Sequence, residues 1–559
     1  MTVENPSVAA PASGPMTNPR LFPTLSDAQI ARLTRRGRRR TTKLREILVE
    51  PGSRHVPLFL VVSGGLQIVP ATGPETTILN LEPGQFTGEI YMITGRPALA
   101  RTQVREPGEV IELDRDAVLG LIQTDAELGE IFMRTFILRR VELISRGIGD
   151  AVLIGSTHCA GTLRAKEFLT RNGHPHSFID LDREADAQEL LDRFHVTTAD
   201  IPVLICRGEL VLRNPTNAQI AECLGLNEGI EPTHVRDLVV VGAGPAGLAA
   251  AVYGASEGLD VLVLESDAPG GQAGTSSRIE NYLGFPTGVS GPELTGRAQA
   301  QALKFGAQIL VARRATQLVC ARLPYAVVTE DGSRVAARAI VIATGAQYRR
   351  PSIASLSRFE GAGVYYAATQ MEAQLCAGEN VIVVGGGNSA GQAAVFLAQT
   401  CSRVHVLVRS DGLAATMSRY LIRRIEDNPT ITLHTRTEIS TLEGDTRLER
   451  VGWKDATGTA ETHDIRHVFM MTGAVPHTRW LHGCVALDEN GFIKTGPDLS
   501  PDDLAAASWP LPRAPYLLET SRPGVFAIGD VRRGNIKRVA SAVGEGSISI
   551  AFVHQLLSS

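Results

Sequence analysis

At 559 residues the chain is several times the size of an ordinary domain, and a soft prior of about 150 residues per domain points to three or four. With 43% apolar residues, 20% charged residues and a net charge of -4, it lacks the basic bias of a nucleic-acid binder, and no apolar run nears the roughly 20 residues of a membrane span. Residues 1–20 are rich in Pro, Ala, Ser and Asn, with no basic stretch leading an apolar core, so they predict a disordered tail and a cytoplasmic protein that meets neither nucleic acid nor membrane.

From 21 to 144, short apolar runs such as Val56-Pro57-Leu58-Phe59-Leu60-Val61-Val62, Leu66-Gln67-Ile68-Val69 and Val110-Ile111-Glu112-Leu113 alternate with Gly and Pro. Helical periodicity takes over from 117 to 144. Strands followed by a helix predict a small β-roll over 21–146. The basic run at 32–45 reads as a solvated face, with a docking patch for an acidic protein as the alternative. Within this stretch, Gly88-Glu89-Ile90-Tyr91-Met92-Ile93-Thr94-Gly95-Arg96-Pro97-Ala98-Leu99-Ala100 resembles the phosphate-binding cassette of cyclic nucleotide-binding domains. The resemblance assigns Glu89 to the ribose hydroxyl and the position after the proline to an arginine that takes the cyclic phosphate. Ala98 stands there, so the bidentate, charge-assisted partner is missing, with Arg96 and Arg101 as nearby cations. The expectation is a fold retained for packing or dimerisation, not for a cyclic nucleotide.

Residues 150–230 run strand (Ala151-Val152-Leu153-Ile154-Gly155), helix (162–172), strand (Ser177-Phe178-Ile179-Asp180), helix (185–194) and a hairpin. The hairpin opens with Asp200-Ile201-Pro202-Val203-Leu204-Ile205 and closes through Gly208. This order resembles the thioredoxin and glutaredoxin fold, with Pro202 where that family has its cis-proline. The family's redox motif would follow the first strand, where the chain reads His158-Cys159-Ala160-Gly161-Thr162, with one cysteine of the family's two. A thiol at a helix N-terminus has its thiolate favoured by the dipole, which makes Cys159 the candidate catalytic residue, as a monothiol. The alternative is a unit without redox chemistry, since one cysteine cannot complete an intramolecular dithiol cycle. Cys206, on a predicted strand, is expected in the core.

The most informative stretch covers 237–265. An apolar run, Leu238-Val239-Val240-Val241, feeds Gly242-Ala243-Gly244-Pro245-Ala246-Gly247; an alanine-rich helical segment follows, and Val261-Leu262-Val263-Leu264 ends at Glu265. Strand, glycine turn, helix, strand and terminal carboxylate in this order predict a dinucleotide site. One glycine makes the tight turn, another lets backbone N–H groups approach a pyrophosphate, and a third lets helix pack on strand. The diphosphate sits on the positive helix end and Glu265 meets the adenosine ribose. A second turn runs Val381-Ile382-Val383-Val384-Gly385-Gly386-Gly387-Asn388-Ser389-Ala390, and its next strand, Val404-His405-Val406-Leu407-Val408, ends in Arg409-Ser410 instead of a carboxylate. An arginine there suits the 2′-phosphate of NADP, so NADPH is favoured; the alternative is a surface arginine at a strand end. The seven cysteines, at 159, 206, 223, 320, 376, 401 and 484, include no Cys-x-x-Cys, so neither an adjacent dithiol nor a metal site is expected.

Residues 235–559 resemble the low-molecular-weight thioredoxin reductase family of flavoproteins. Pro269-Gly270-Gly271-Gln272 and Ile279-Glu280-Asn281-Tyr282-Leu283-Gly284 match the segments that border the isoalloxazine ring, which assigns Gly271, Gln272 and Asn281 to FAD. Ile340-Val341-Ile342-Ala343-Thr344-Gly345 matches the strand and turn that return the chain to the FAD unit. Gly524-Val525-Phe526-Ala527-Ile528-Gly529-Asp530 matches the motif whose Asp holds the ribityl chain, and Lys537-Arg538-Val539-Ala540 falls where backbone meets the flavin pyrimidine edge. The second turn then takes NADPH through Gly385, Gly387, Asn388, Ser389, Ala390, Arg409 and Ser410. The family's further arginines are Ser410 and Ala414 here, with Arg419 as a stand-in. The resemblance implies a FAD-binding unit over 235–351 and 477–559, an NADP-binding unit over 352–476, hinge-like crossings near 350–361 and 473–478, and a homodimer.

Where the family carries Cys-Ala-Thr-Cys, the dithiol that the flavin reduces, this chain reads Gly363-Val364-Tyr365-Tyr366-Ala367-Ala368-Thr369-Gln370, with Ala367 and Gln370 in the cysteine positions. Cys376 lies several residues beyond, without a partner nearby in sequence. The expected activity is an NADPH-dependent FAD oxidoreductase whose reduced flavin passes electrons to an acceptor: a small redox protein such as a ferredoxin or flavodoxin, a quinone, oxygen or a disulfide. The alternatives are disulfide reduction relayed through Cys159, and a redox or nucleotide sensor with incidental turnover. The expected architecture is multidomain: a β-roll cyclic nucleotide-binding-like domain, an α/β thioredoxin-like domain and a two-domain α/β FAD/NAD(P)-binding reductase.

Overall fold

The computed structural model describes residues 21–54, 56–70, 78–89, 91–145, 150–157, 159–182, 200–206, 210–276, 278–366, 368, 370–481 and 483–558. The expected tail at 1–20, the helix expected at 185–194, His158, Gly208, Ala367 and Thr369 lie outside the described residues.

In the amino-terminal part the long strand Ala100–Leu113 pairs antiparallel with Leu58–Pro70, Arg38–Thr41 and Ile47–Val49, and Leu79–Leu81 completes a five-stranded sheet. The helical stretch expected over 117–144 is two helices, Arg115–Thr124 and Ala126–Ser145. Asp125 leaves the helical region at φ -118° and ψ 101°, and its carboxylate accepts from the Leu128 N–H at 3.1 Å. Aspartate competes for backbone donors in this way, which is why the periodicity continues while the helix does not. Phe86, Phe132 and Phe136 fill the space between sheet and helices. The basic run is met by acids across the sheet: Arg38 by Glu112 at 3.1 Å, Arg39 by Glu109 at 2.7 Å, and Arg40 by Glu46. It is therefore a solvated, ion-paired face, each exposed pair contributing about 0–1 kcal/mol.

The middle part has a four-stranded sheet. Ala151–Gly155 runs parallel to His176–Asp180 and antiparallel to Val203–Cys206, which pairs in turn with Leu210–Arg213. The helix expected at 162–172 spans Ala160–Arg171 with Cys159 as its N-cap, and the Ile201–Pro202 peptide is cis. Cys206 is buried as expected, but as half of a disulfide with Cys223.

The strand Val235–Val241 lies at the centre of a seven-stranded sheet, parallel to Val261–Leu264 and Arg334–Ile342, with Val525–Ala527 beyond. Its apolar run is continuous because both faces are covered, and Leu238, Val239 and Val240 have no solvent exposure. The helices Pro245–Ser256 and Val539–Leu557 cross at Gly546, where a Cβ would come 2.5 Å from the Ala246 carbonyl oxygen. A disulfide between Cys320 and Cys484 staples this part across 164 residues of sequence.

The second apolar run, Asn380–Val384, lies within a five-stranded parallel sheet, flanked by Arg403–Leu407 and His467–Met470. The three-stranded sheet of Glu438–Glu443, Arg450–Lys454 and Ala460–His463 packs beside it. A two-stranded ribbon, Ala346–Tyr348 against Ala474–Pro476, carries the chain between the two nucleotide-turn sheets, next to the expected crossings. Among the described residues no helix is long and apolar enough to cross a membrane.

Candidate functional site

The first glycine turn has the backbone its sequence predicts. Gly242 sits at φ +106°, and a Cβ there would lie 2.3 Å from the Ala343 carbonyl oxygen. A Cβ on Gly247 would lie 1.9 Å from the Gly242 carbonyl oxygen, so close packing of helix on turn requires glycine at both ends. Gly244 caps the helix Pro245–Ser256 without any side-chain hydrogen bond, leaving the first-turn N–H groups for a ligand. Gly271 faces Gly244 across the opening, with a Cβ there 3.0 Å from the Gly244 Cα. This bare backbone cradle fits an anionic dinucleotide.

Glu265, at the end of the next strand, is buried. Its Oε2 accepts from the Ala243 N–H at 2.7 Å and its Oε1 from the Asp267 N–H at 3.0 Å. Burial pushes its pKa above the ordinary carboxylate range, and the two N–H donors hold it partly down. The carboxylate thus braces the turn as well as lining the cavity. Asp530 follows Gly529 in a short 3-10 turn, and burial raises its pKa against the pull of Lys537. Thr344 donates to the His477 carbonyl at 3.1 Å, and Gln272 donates to that of Ala346. Gly345, Asn281, Arg538 and Val539 also line the opening, and Arg538 is the N-cap of the last helix, again without a side-chain cap. Ala540 is exposed and its side chain is not on the cavity wall, whereas the helical repeat brings Val539 and Ala542 to that face.

At the second turn, Gly385 sits at φ +142°, where a Cβ would lie 2.2 Å from the Met471 carbonyl oxygen. Gly387 caps the helix Asn388–Leu397 without a side-chain bond. Asn388 uses its Oδ1 to accept from the Ser418 N–H at 2.7 Å, Ser389 faces the opening, and Ala390 is fully buried beneath it. Arg409 and Ser410 line the rim. Arg409 makes no hydrogen bond or ion pair among the described residues, so its guanidinium is open to a phosphate. Arg419 is exposed at the start of the helix Arg419–Glu426, whose Leu421 and Ile425 are buried, and it does not line the cavity.

Both turns open into one cavity of about 1850 Å³. That exceeds the roughly 300–1,000 Å³ of a single small-molecule site and suits two dinucleotides meeting end to end.

The pyridine nucleotide-disulphide oxidoreductase model matches residues 236–546, and the cyclic nucleotide-binding domain model matches 39–125. The thioredoxin reductase of Mycolicibacterium smegmatis is 33% identical over 313 residues, which are 56% of this chain and 93% of that protein. The NADPH-dependent thioredoxin reductase 3 of Arabidopsis thaliana is 30% identical over 370 residues, 63% of this chain and 66% of the relative. The crystal structure of Lactococcus lactis thioredoxin reductase superposes with a TM-score of 0.51 at 27% identity, covering 58% of this chain and 99% of that one. The chain belongs to the pyridine nucleotide-disulphide oxidoreductases. It is an NADPH-dependent FAD oxidoreductase of thioredoxin reductase type that also carries a cyclic nucleotide-binding domain.

This oxidoreductase has its cassette glutamate engaged inside the protein. Glu89 is buried and ion-paired with Arg140 at 3.2 Å, and Ala98 is only 1% exposed. Both candidate substitutes are engaged by other groups. Arg101 pairs with Glu50 at 3.0 Å, and Arg96 donates to the Asn172 carbonyl of the middle part at 2.8 Å, with burial and the nearby Arg140 lowering its pKa to about 9.

Cys159 is half-buried at the start of its helix, and the next residue, Ala160, lines the cavity against Gly361, where a Cβ would come 3.1 Å from that of Ala160. Cys376 has a partner that its sequence neighbourhood does not reveal: the Cys401 sulfur is 3.6 Å away, and both are buried. Sequence reasoning also missed Arg164 and Arg171, which enter the first-turn cavity from the middle part. Their spacing marks a polar helix face, but nothing local says what that face meets.

Proposed function

We propose that this oxidoreductase delivers electrons from NADPH, by way of its flavin, directly to an acceptor entering the shared cavity, without a family-type dithiol at residues 367 and 370. The observation that carries the proposal is the cavity wall beside the two turns. Tyr365, Tyr366, Ala368 and Glu372 stand there, while Cys376 is turned away into the core against Cys401. When bound, FAD takes a hydride from NADPH and releases two electrons to an oxidant. The chain's own part is positional. Gly242, Gly244, Glu265, Gly271, Gln272, Asn281 and Asp530 would hold the flavin dinucleotide, and Gly385, Gly387, Ser389, Arg409 and Ser410 the nicotinamide one. Tyr366 donates to Glu360 at 2.6 Å, and burial together with Glu360 raises its pKa, so it stays a neutral phenol at the acceptor's entry. The working units are 21–146, 150–230, 235–351 with 477–559, and 352–476; the second takes a thioredoxin-like fold and the first serves packing.

A relay through Cys159 is the second reading, favoured by Ala160 on the cavity wall. One anaerobic experiment separates the two. NADPH is added to the wild type and to Cys159→Ser, flavin bleaching is followed, and ferredoxin, a quinone and a small disulfide are offered in turn. Direct transfer predicts that one acceptor restores the oxidised spectrum equally fast in both proteins. Reoxidation by the disulfide alone, and only with Cys159 present, would establish the relay, and no bleaching at all would sink both.

A further inference from the structure

We infer that the middle part of the chain supplies a wall of the FAD site through one face of the helix Ala160–Arg171. The helix has two faces. Thr162, Ala165, Phe168 and Leu169 are buried, three of them in the core of their own unit, whereas Ala160, Arg164, Glu167 and Arg171, recurring at three- and four-residue steps, line the cavity of the first glycine turn. Arg171 donates to the carbonyls of Ala268 and Gly271, each at 3.2 Å, and so grips the loop whose Gly271 faces Gly244. Arg164 donates to Asn217 Oδ1 at 2.6 Å, and Asn217 donates onward to Asp267 at 3.2 Å, two residues beyond Glu265.

Both guanidiniums therefore stand beside the stretch that receives the adenosine and diphosphate end of a dinucleotide. The helix N-terminus there offers only partial charge to a group carrying two negative charges. Two partly desolvated guanidiniums at its edge, Arg171 paired in part with Glu167 at 3.4 Å, add attraction that water does not fully screen. Arg171 acts as a positioning residue by fixing the Gly271 loop, and Arg164 by fixing Asp267.

The inference rests on FAD occupying the first turn and not on the identity of the acceptor, so its test avoids turnover. The full-length chain is freed of flavin and titrated with FAD, and the dissociation constant is read from flavin fluorescence. Arg171→Ala and Arg164→Ala are each expected to weaken FAD roughly tenfold, the ordinary consequence of losing charge-assisted hydrogen bonds. Arg213→Ala, on the same unit and paired with Asp200 at 3.5 Å, is expected to leave the constant unchanged. Should an alanine variant melt early, Arg171→Gln keeps the stem and one donor while removing the charge, and it is expected to weaken FAD at an unchanged melting temperature. Dissociation constants within twofold of wild type for the Arg164 and Arg171 variants overturn the inference, as does an equal loss in Arg213→Ala.

Discussion

Acidification is expected to loosen the NADP-binding unit from within, and His405 sets the size of the effect. This residue lies on the strand Arg403–Leu407, with its Nδ1 3.0 Å from His434 Nε2 and its ring 5.4 Å from that of Trp453, which stacks at 3.7 Å on His463. Burial first, and then His434, His463 and Arg403, push its pKa from the ordinary 6.5 down to about 4. The folded value lies below the unfolded one. The stability this ring contributes is therefore complete above pH 6.5 and is lost as the pH falls from there toward about 4. The whole gap corresponds to roughly 3 kcal/mol, and partial exposure of the ring screens it to about 1–2 kcal/mol. His434 shifts in the same direction, again chiefly by burial, and adds to the loss. Hydrogen exchange of the strand Arg403–Leu407, corrected for intrinsic rates, reads the opening free energy of this unit at about pH 7 and about pH 4.5. Wild type is expected to lose about 1–2 kcal/mol more over that range than His405→Leu, which has no proton to take up. Equal losses in the two proteins would refute the reasoning.

Three further perturbations test other parts of the chain. Gly247→Ala places a methyl 1.9 Å from the Gly242 carbonyl oxygen and 3.3 Å from the Ala343 side chain, so it is expected to cost about 1–3 kcal/mol and to lower flavin absorbance per protein several-fold. Gly296→Ala, in a helix with nothing within 4 Å of the new methyl, is expected to keep full flavin absorbance. Arg140→Met strips the buried Glu89 carboxylate of this cation and is expected to destabilise the chain by about 3–5 kcal/mol in thermal melts, with Glu89→Gln added to it recovering much of the loss. Cyclic AMP is expected to leave the wild-type melting temperature unchanged, since a ligand that does not bind the native state cannot stabilise it.

The two glycine turns are legible in the sequence because nothing but a missing side chain satisfies their geometry. A Cβ at Gly242, Gly247 or Gly385 would meet a carbonyl oxygen within 2.3 Å, so the requirement is written in single residues. Local signals fail wherever two distant segments decide the outcome. Cys376 and Cys401 read as isolated thiols, and Cys320 and Cys484 stand 164 residues apart before the fold joins them. The cassette is an intermediate case. Ala98 announces the missing guanidinium in the sequence, but only the structure shows Arg140, 51 residues downstream of Glu89, taking up the carboxylate. Ala540 is a different case. A motif identifies a stretch of backbone, whereas which of its side chains face the ligand follows from the helical repeat.

These contacts converge on the helix Ala160–Arg171. It ends with Gly173 at φ +59°, where the His174 N–H reaches the Leu169 carbonyl at 2.9 Å and the Gly173 N–H reaches that of Thr170 at 2.9 Å. This glycine-terminated cap turns the next carbonyls outward. Arg96 takes the Asn172 carbonyl at 2.8 Å and Arg140 that of Gly173 at 2.6 Å, so two cations of the amino-terminal unit sit at the negative end of the helix dipole. One residue earlier, Arg171 holds the carbonyls of Ala268 and Gly271, and at the opposite end Ala160 abuts Gly361. A helix is stiff along its axis, so its two ends cannot shift independently. Arg140 and Arg171 act at the same end of the helix, so loosening Arg140 is expected to perturb the Gly271 loop as well. If this helix walls the flavin site as proposed, a cyclic nucleotide-binding domain whose glutamate is held by an internal arginine has a physical task in this oxidoreductase: fixing that helix.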